Sequence, residues 1–408
     1  MKFAHMADCH IGSWRDPKLR HLSTEAFMRA VDICIEKGVD FILIAGDFFQ
    51  TSLPAVEQLK SAVIKLKELK DRDIPVYFIA GSHDFSPSGK TMLDVLEGAG
   101  LAVNVAKGDI ENNRLRLEFT VDKKTGAKIT GLLGKRGGLD KMYYEQLVRD
   151  NLENEDGYKI FMFHAALEEF KPKDLEKVVS HPLSLLPRKF DYYAGGHVHY
   201  VKQFDKKDDG FGMIAYPGPL FPNSFKELEE LQRGGFYIVD DGRVEWQPIQ
   251  VYNVHAISLD CSHKTAENVR GLLINEIYNK EFNDTIVTIR LSGMLEAGKP
   301  SDINFKDIFA MLYDKSAYFV MKNTAALTTK EFEEIKIDAK NTEEIEDSLI
   351  KEHLGQIKVD KLTPEKEKEL VKTLLKALAI EKDEGERQAD FEERLRKELS
   401  SNTFLDHV

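Results

Sequence analysis

Five apolar stretches of strand type each end in residues that can hold a metal or move a proton. They are Asp8-Cys9-His10, Gly46-Asp47, Gly81-Ser82-His83-Asp84, His164, and Gly195-Gly196-His197-Val198-His199. Carboxylates mixed with imidazoles suit Mn²⁺, Fe or Zn²⁺ rather than Ca²⁺. Asp8, His10, Asp47, His164, His197 and His199 are too many donors for one tetrahedral ion and fit two ions sharing a carboxylate. Such a pair, about 3.5–4 Å apart, activates water and clamps the oxygens of an in-line phosphoryl displacement. Extended residues two apart face the same side, so Asp8 with His10, and His197 with His199, are expected to converge. The same alternation turns Cys9 away from the site, as a buried thiol.

These residues need a frame. Strand-type runs at Lys2–Ala7, Phe41–Ala45, Val76–Ala80, Ile160–Phe163 and Tyr192–Ala194 carry them. Amphipathic patterns predict helices at Thr24–Glu36 and Ala55–Lys70 between the first three runs. Short, almost continuously apolar strands with helices between them imply an α/β sheet covered on both faces. Ligands bind such sheets at the carboxyl ends of the strands, where the glycines of these motifs permit sharp turns. Further strands are predicted at Met213–Tyr216, Gly235–Val239 and Val244–Ile249, with a turn at Asp240-Asp241-Gly242. From about Val251 a second unit reads β (His255–Leu259), α (Ala266–Tyr278), β (Thr285–Leu291), α (Phe305–Tyr313), β (Ala317–Met321).

The last part of the chain is helical. Ile345, Leu349, Ile350 and Leu354 have helical spacing, and Thr363-Pro364 is an N-cap followed by proline in the first turn. The helix after it carries Leu370, Val371, Leu374, Leu375 and Leu378 on one stripe. Another follows Gly385, with Phe391, Leu395 and Leu399. Helices this short need a packing surface: each other, the body of the protein, or a partner.

The 408 residues exceed one hydrophobic core, and 42% apolar with 31% charged residues describes a globular protein. No apolar run reaches the roughly 18 residues of a membrane span, and His5, Asp8 and His10 interrupt any signal peptide. Cys9, Cys34 and Cys261, scattered and odd in number, are expected as reduced thiols of a cytoplasmic protein. The net charge is −12. Residues 331–408 hold 22 acidic against 14 basic side chains, so the acidity lies mostly in the tail. Lys123-Lys124 with Lys128, and Lys135-Arg136, are short basic clusters that read as solvated loops.

The ordered set of motifs resembles the calcineurin-like metallophosphoesterases, whose pattern runs D-x-H, G-D, G-N-H-D/E, H, G-H-x-H. Ala7-Asp8-Cys9-His10-Ile11-Gly12, Ala45-Gly46-Asp47-Phe48-Phe49 and Tyr216-Pro217-Gly218-Pro219 resemble the SbcD-type double-strand-break repair exonucleases within that superfamily. The resemblance implies a four-layer α/β/β/α sandwich over residues 1–250 and a small α/β capping domain, DNA-binding, over 251–330. A linker with a short helix over 331–362 and a helical ATPase-binding tail over 363–408 would follow. It implies two Mn²⁺ ions, one held by Asp8, His10, Asp47 and His199. The other would be held by the bridging Asp47 with His164, His197 and Ser82. His83 matches the catalytic histidine that stabilises the transition state or protonates the leaving oxygen. The resemblance makes Asp84 its acidic partner, a place that a loop-closing hydrogen bond would explain as well.

Two positions depart from the pattern. Ser82 stands where the family has Asn, and a hydroxyl is a shorter and poorer donor to a metal than an amide carbonyl. Gln50 stands where relatives often have a further histidine. The function implied is a Mn²⁺-dependent nuclease in break repair, a 3′-5′ exonuclease on double-stranded DNA and an endonuclease on single strands. Its partners would be a second copy of itself and an SbcC-type coiled-coil ABC ATPase bound by the C-terminal helices. Two other classes stay open: a nucleotidase or phosphomonoesterase on the same fold, and a DNA-end scaffold whose metal site Ser82 impairs.

Overall fold

The computed structural model describes residues 1–85, 91–172, 178–329, 350, 363–378, 380 and 388–401. The chain falls into two compact units, Met1–Thr328 and Thr329–Val408.

The first unit is built on two six-stranded sheets. In one, β1 (Lys2–Met6), β2 (Phe41–Ala45), β3 (Val76–Ile79) and the short β4 (Val103–Asn104) run parallel. The second contains the short β5 (Thr120–Val121), β6 (Lys128–Gly131), β7 (Lys159–His164), β8 (Tyr192–Gly196), β9 (Lys202–Asp205) and β10 (Met213–Tyr216). Its core β6-β7-β8-β10 is parallel, with β5 and β9 antiparallel at the edges. β11 (Gly234–Asp240) and β12 (Arg243–Ile249) return to the first sheet, where β11 pairs antiparallel with β1.

The residue pattern explains the layers. β2 and β7 are buried along their whole length, so both faces of each strand are covered. Phe3, Phe41, Leu43, Ile129, Ile160, Met162 and Tyr192 share one core, which joins the inner faces of the two sheets. The outer face of the first sheet packs on α1 (Leu22–Lys37) and α2 (Val56–Asp71). In α1 the buried stripe is Leu22, Ala26, Phe27, Ala30, Val31 and Cys34, and the helix stops at Gly38, whose φ of 62° needs no β-carbon. Phe161, Phe163 and Tyr193 face a third core on the other outer side. The result is the expected mixed α/β sandwich, with the predicted strands divided between two sheets.

Residues 253–329 keep a core of their own within this unit. β13 (Asn253–Asp260) pairs parallel with β14 (Thr285–Leu295), and β15 (Ala317–Thr329) lies on the other side of β14. Helices Ala266–Tyr278 and Phe305–Asp314 contribute Val269, Leu273, Ile308 and Leu312 to that core.

In the second unit, helices Pro364–Leu378 and Gln388–Ser401 pack against each other. The Thr363 hydroxyl accepts from the Lys366 N–H, as the N-cap reading expects. Leu374 and Leu375 are 36% and 43% exposed, so part of the leucine stripe faces outward. The linker expected over 331–362 lies outside the described residues, apart from Ile350. Among the described residues no helix is long and apolar enough to cross a membrane.

Candidate metal centre

The site lies where β1, β2, β3, β7 and β8 end. The backbone there is unusual. Asp8, His10, Asp47 and His197 have φ of 50°, 43°, 50° and 86°, a region that non-glycine residues avoid. Asp8 and His10 therefore converge through a left-handed turn beyond β1, and strand alternation is not what aims them. Cys9, between them, faces the helical layer in the core, as expected. Gly46, Gly81 and Gly196 allow the loops to close: a β-carbon at Gly46 would collide with the His164 ring, and one at Gly81 with Asp47. Gly46→Ala is expected to unseat His164 and lower metal affinity at least tenfold by calorimetric titration, with the fold retained.

Three sets of donor atoms lie within 4.8 Å of one another: Asp8, His10 and His199; Asp8, Asp47 and His164; and His10, Asp47 and His83. His10 Nε2 is 3.2 Å from His199 Nε2 and 3.7 Å from Asp47 Oδ2. His199 Nε2 is 3.6 Å from Asp8 Oδ1, and His164 Nε2 is 3.2 Å from Asp47 Oδ2. His197 joins through its ring, 5.2 Å from that of His164, and its N–H donates to both oxygens of Asp8. Ser82 Oγ donates to Asp47 Oδ2 at 3.4 Å. The residues singled out in the sequence are thus brought together, with Asp47 between the two halves.

The rings are oriented from behind. His164 Nδ1–H donates to the Ala45 carbonyl at 2.9 Å, and His199 Nδ1 pairs with Glu227 Oε1 at 3.0 Å. Both leave Nε2 as the atom facing the cluster, as in metal-ligating histidines generally. His164 Nε2 is buried without a hydrogen-bond partner, although an Asp47 oxygen is 3.2 Å away. Two imidazole nitrogens facing each other at 3.2 Å beside buried carboxylates need a proton or a cation between them. The residues fit a pair of divalent ions.

The electrostatics agree. Burial alone would lower both rings, but the charge of Asp47 beside it lifts His164 to about 9. Against the same burial, Asp8 and Glu227 lift His199 to about 10. Asp47, despite burial, is held below the usual carboxylate range by His164 and His10. His10 and His197 are each lowered to about 4, chiefly by burial. Without metal, protons on His164 and His199 supply the missing positive charge.

Asp84 takes the loop-closing role and does not pair with His83. Its carboxylate accepts from the N–H groups of Gly81, Phe48 and Phe49 at 2.9–3.3 Å, tying two metal-site loops together. The His83 ring is fixed instead by the Gln50 carbonyl, 2.9 Å from Nδ1, and the His83 N–H donates to Asp47 Oδ1 at 2.7 Å.

Glu227 escaped the sequence reading. Ser224-Phe225-Lys226-Glu227 has the form of a capping box, and Ser224 does accept from the Glu227 N–H. The Glu227 carboxylate, however, turns to the Asn223 N–H and to His199. A groove of about 490 Å³ opens beside His199 and Glu227, walled by Phe170, Tyr200 and Phe204 with Lys202 at its side. Of the basic clusters, Lys124 pairs with Asp40 and Lys128 with Glu155, while Arg136 donates to the Ser82 carbonyl at 3.1 Å.

Residues 1–201 match the calcineurin-like phosphoesterase family. These residues form a calcineurin-like metallophosphoesterase domain. Similarity to curated proteins runs further along the chain. The DNA double-strand break repair protein Mre11 of Archaeoglobus fulgidus is 26% identical over 98% of this chain and 90% of its own length. The protein of the same name from Methanococcus maripaludis is 27% identical over 77% of this chain and 79% of its own length. That of Methanopyrus kandleri is 31% identical over 62% and 57%. The chain thus resembles these repair proteins, the first of them over almost its whole length.

Proposed function

We propose that this metallophosphoesterase is a DNA repair nuclease that hydrolyses phosphodiesters at double-strand breaks. The reading is a 3′-5′ exonuclease on double-stranded ends and an endonuclease on single strands, using two Mn²⁺ ions. The observation that carries it is the carboxylate–imidazole cluster in a chain similar to Mre11 proteins over nearly its whole length, residues 251–330 and the tail included. Asp8, His10, Asp47 and His199 would hold one ion. Asp47, His164, His197 and Ser82 would hold the other. Bound divalent ions supply an activated water and neutralise the anionic oxygens on phosphorus.

The chain's own residues do the rest. Asp47 keeps the two halves of the site together, accepting from the His83 N–H on one oxygen and facing His164 with the other. With Nδ1–H given to the Gln50 carbonyl, His83 exchanges protons through Nε2. In its cationic form it donates from that atom to the leaving oxygen. The aromatic groove beside His199 suits bases stacking as a strand approaches, which favours a polymer over a small phosphomonoester. The tail helices expose leucines that suit docking into the groove of a coiled-coil ATPase of the ABC class, and the working form is a homodimer. Mn²⁺-dependent release of labelled nucleotides from duplex DNA, with weaker turnover of p-nitrophenyl phosphate, is the expected result. The reverse preference would make it a phosphomonoesterase.

Two further results follow from the geometry. Ser82→Asn offers an amide carbonyl in place of a hydroxyl spent on Asp47, and the affinity for the weaker-bound ion should rise by about tenfold or more in a calorimetric titration. No change would remove position 82 from the ligand set. Mn²⁺ binding near pH 7 should release about two protons, because it displaces those on His164 and His199. Apparent affinity should rise with pH until about 9–10, where the metal-free rings are already neutral. Calorimetry in buffers of different ionisation enthalpy counts the protons, and zero release would contradict the assignment of these rings.

A further inference from the structure

Helix Phe225–Leu231 connects two parts of the molecule. Leu228 is fully buried and fixes the helix to the first unit's core. Glu227 reaches His199 on one side. Glu229, two residues on and therefore on the opposite side of the helix, meets Arg290 of β14, in the capping segment. That contact is two-pronged: Arg290 Nε lies 2.9 and 3.1 Å from the two carboxylate oxygens of Glu229, and an Nη lies 2.6 Å from one of them. The Arg290 guanidinium also covers the Phe225 ring, 5.1 Å from its centroid, so it grips the first helical residue as well as Glu229, the fifth beyond the cap Ser224. Planar two-point pairing of this kind fixes orientation as well as distance.

We propose that Arg290 is a positioning residue for the metal centre. Through Glu229 and Phe225 it sets the pose of the helix, the helix sets Glu227, and Glu227 sets the His199 ring. The capping segment is thereby tied mechanically to one ligand of one ion, and a load on the cap is felt at His199. This rests on His199 being a metal ligand. Arg290 is not what attaches the cap: Ile286 is buried in the first unit's main core, and the Tyr318 hydroxyl donates to the Lys18 carbonyl at 2.7 Å. Removing the Arg290 side chain therefore leaves the cap seated.

The test is Mn²⁺ binding to the full chain, alongside the imidazole N–H signal of His199 in metal-free protein, observed by ¹H–¹⁵N NMR. Arg290→Ala is expected to weaken Mn²⁺ binding about tenfold, the range for partners that orient a ligand from behind. It should also broaden or abolish the His199 Nδ1–H signal. In a Glu227→Gln background, Arg290→Ala should add nothing, since the chain of contacts is already cut. Exchanging the charges with Arg290→Glu and Glu229→Arg together should restore both readouts in part, since the pairing returns while the contact with Phe225 stays lost. Unchanged affinity and an unchanged His199 signal in Arg290→Ala would overturn the proposal. So would an Arg290→Ala effect that persists in full beside Glu227→Gln. If the wild-type chain binds no Mn²⁺, the metalloenzyme reading falls and the His199 signal alone decides the link.

Discussion

Asp47→Asn is expected to lower DNA cleavage by on the order of 10³-fold or more, and to reduce bound Mn²⁺ from two ions to one at most. A shared carboxylate supplies charge to both ions, and metal-centred stabilisation of the transition state is worth several kcal/mol, each about 1.4 of which is tenfold in rate. The substitution is a clean one. Asn keeps an oxygen to accept the His83 N–H that now reaches Asp47 Oδ1 at 2.7 Å, so the loop keeps its anchor while the charge is lost. Native mass spectrometry counts the ions and an end-labelled duplex gives the rate. A variant retaining two ions and near-normal cleavage would show that Asp47 bridges nothing.

The second large effect is expected at His83. His83→Gln should lower kcat by roughly 10²–10⁴-fold, the span of a positioned general acid, while both ions stay bound. His83 is half-buried beside the cluster, its ring 4.9 Å from that of His10. The variant should lose least on a substrate whose leaving group needs no proton, such as a p-nitrophenyl phosphodiester. An equal loss on both substrates, or loss of an ion, would move His83 from proton transfer to metal binding.

The two roles separate because the residues at Gly81-Ser82-His83-Asp84 diverge in space. Ser82 and the His83 backbone face Asp47, the His83 ring is held by Gln50, and Asp84 turns back to three backbone N–H groups. Burial and the nearby Asp47 charge push Asp84 up to about 7 in spite of those donors. Removing its carboxylate would loosen Phe48 and Phe49, which follow Asp47 directly, so Asp84 shapes the site without facing the reaction.

Much of this was legible in the residues. β1, β2, β3, β7 and β8 are mostly apolar because each is covered on both faces, and the glycines that end β2, β3 and β8 mark loops too tight for a β-carbon. Helix and strand order in residues 253–329 follows the periodicities closely. Division of the strands between two sheets was not legible, since a strand covered on both faces looks the same in either. Residues 103–121 form strands of two to four residues that are largely half-buried or exposed, too short for an apolar run or an alternation to mark them. Only Asn112-Asn113, with φ of 49° and 61°, marks the hairpin between Gly108–Glu111 and Arg114–Leu117. Partners distant in sequence stayed invisible for another reason. Glu227 reads as a helix cap, and nothing local records that its carboxylate meets a histidine 28 residues away.

The measurement that bears most directly on the whole account is cleavage of an end-labelled blunt duplex by the purified chain with Mn²⁺, with EDTA, and with Asp47→Asn. The account predicts that label is released only by the unaltered chain and only with Mn²⁺. An intact duplex in spite of two bound ions, or equal cleavage by Asp47→Asn, would contradict it.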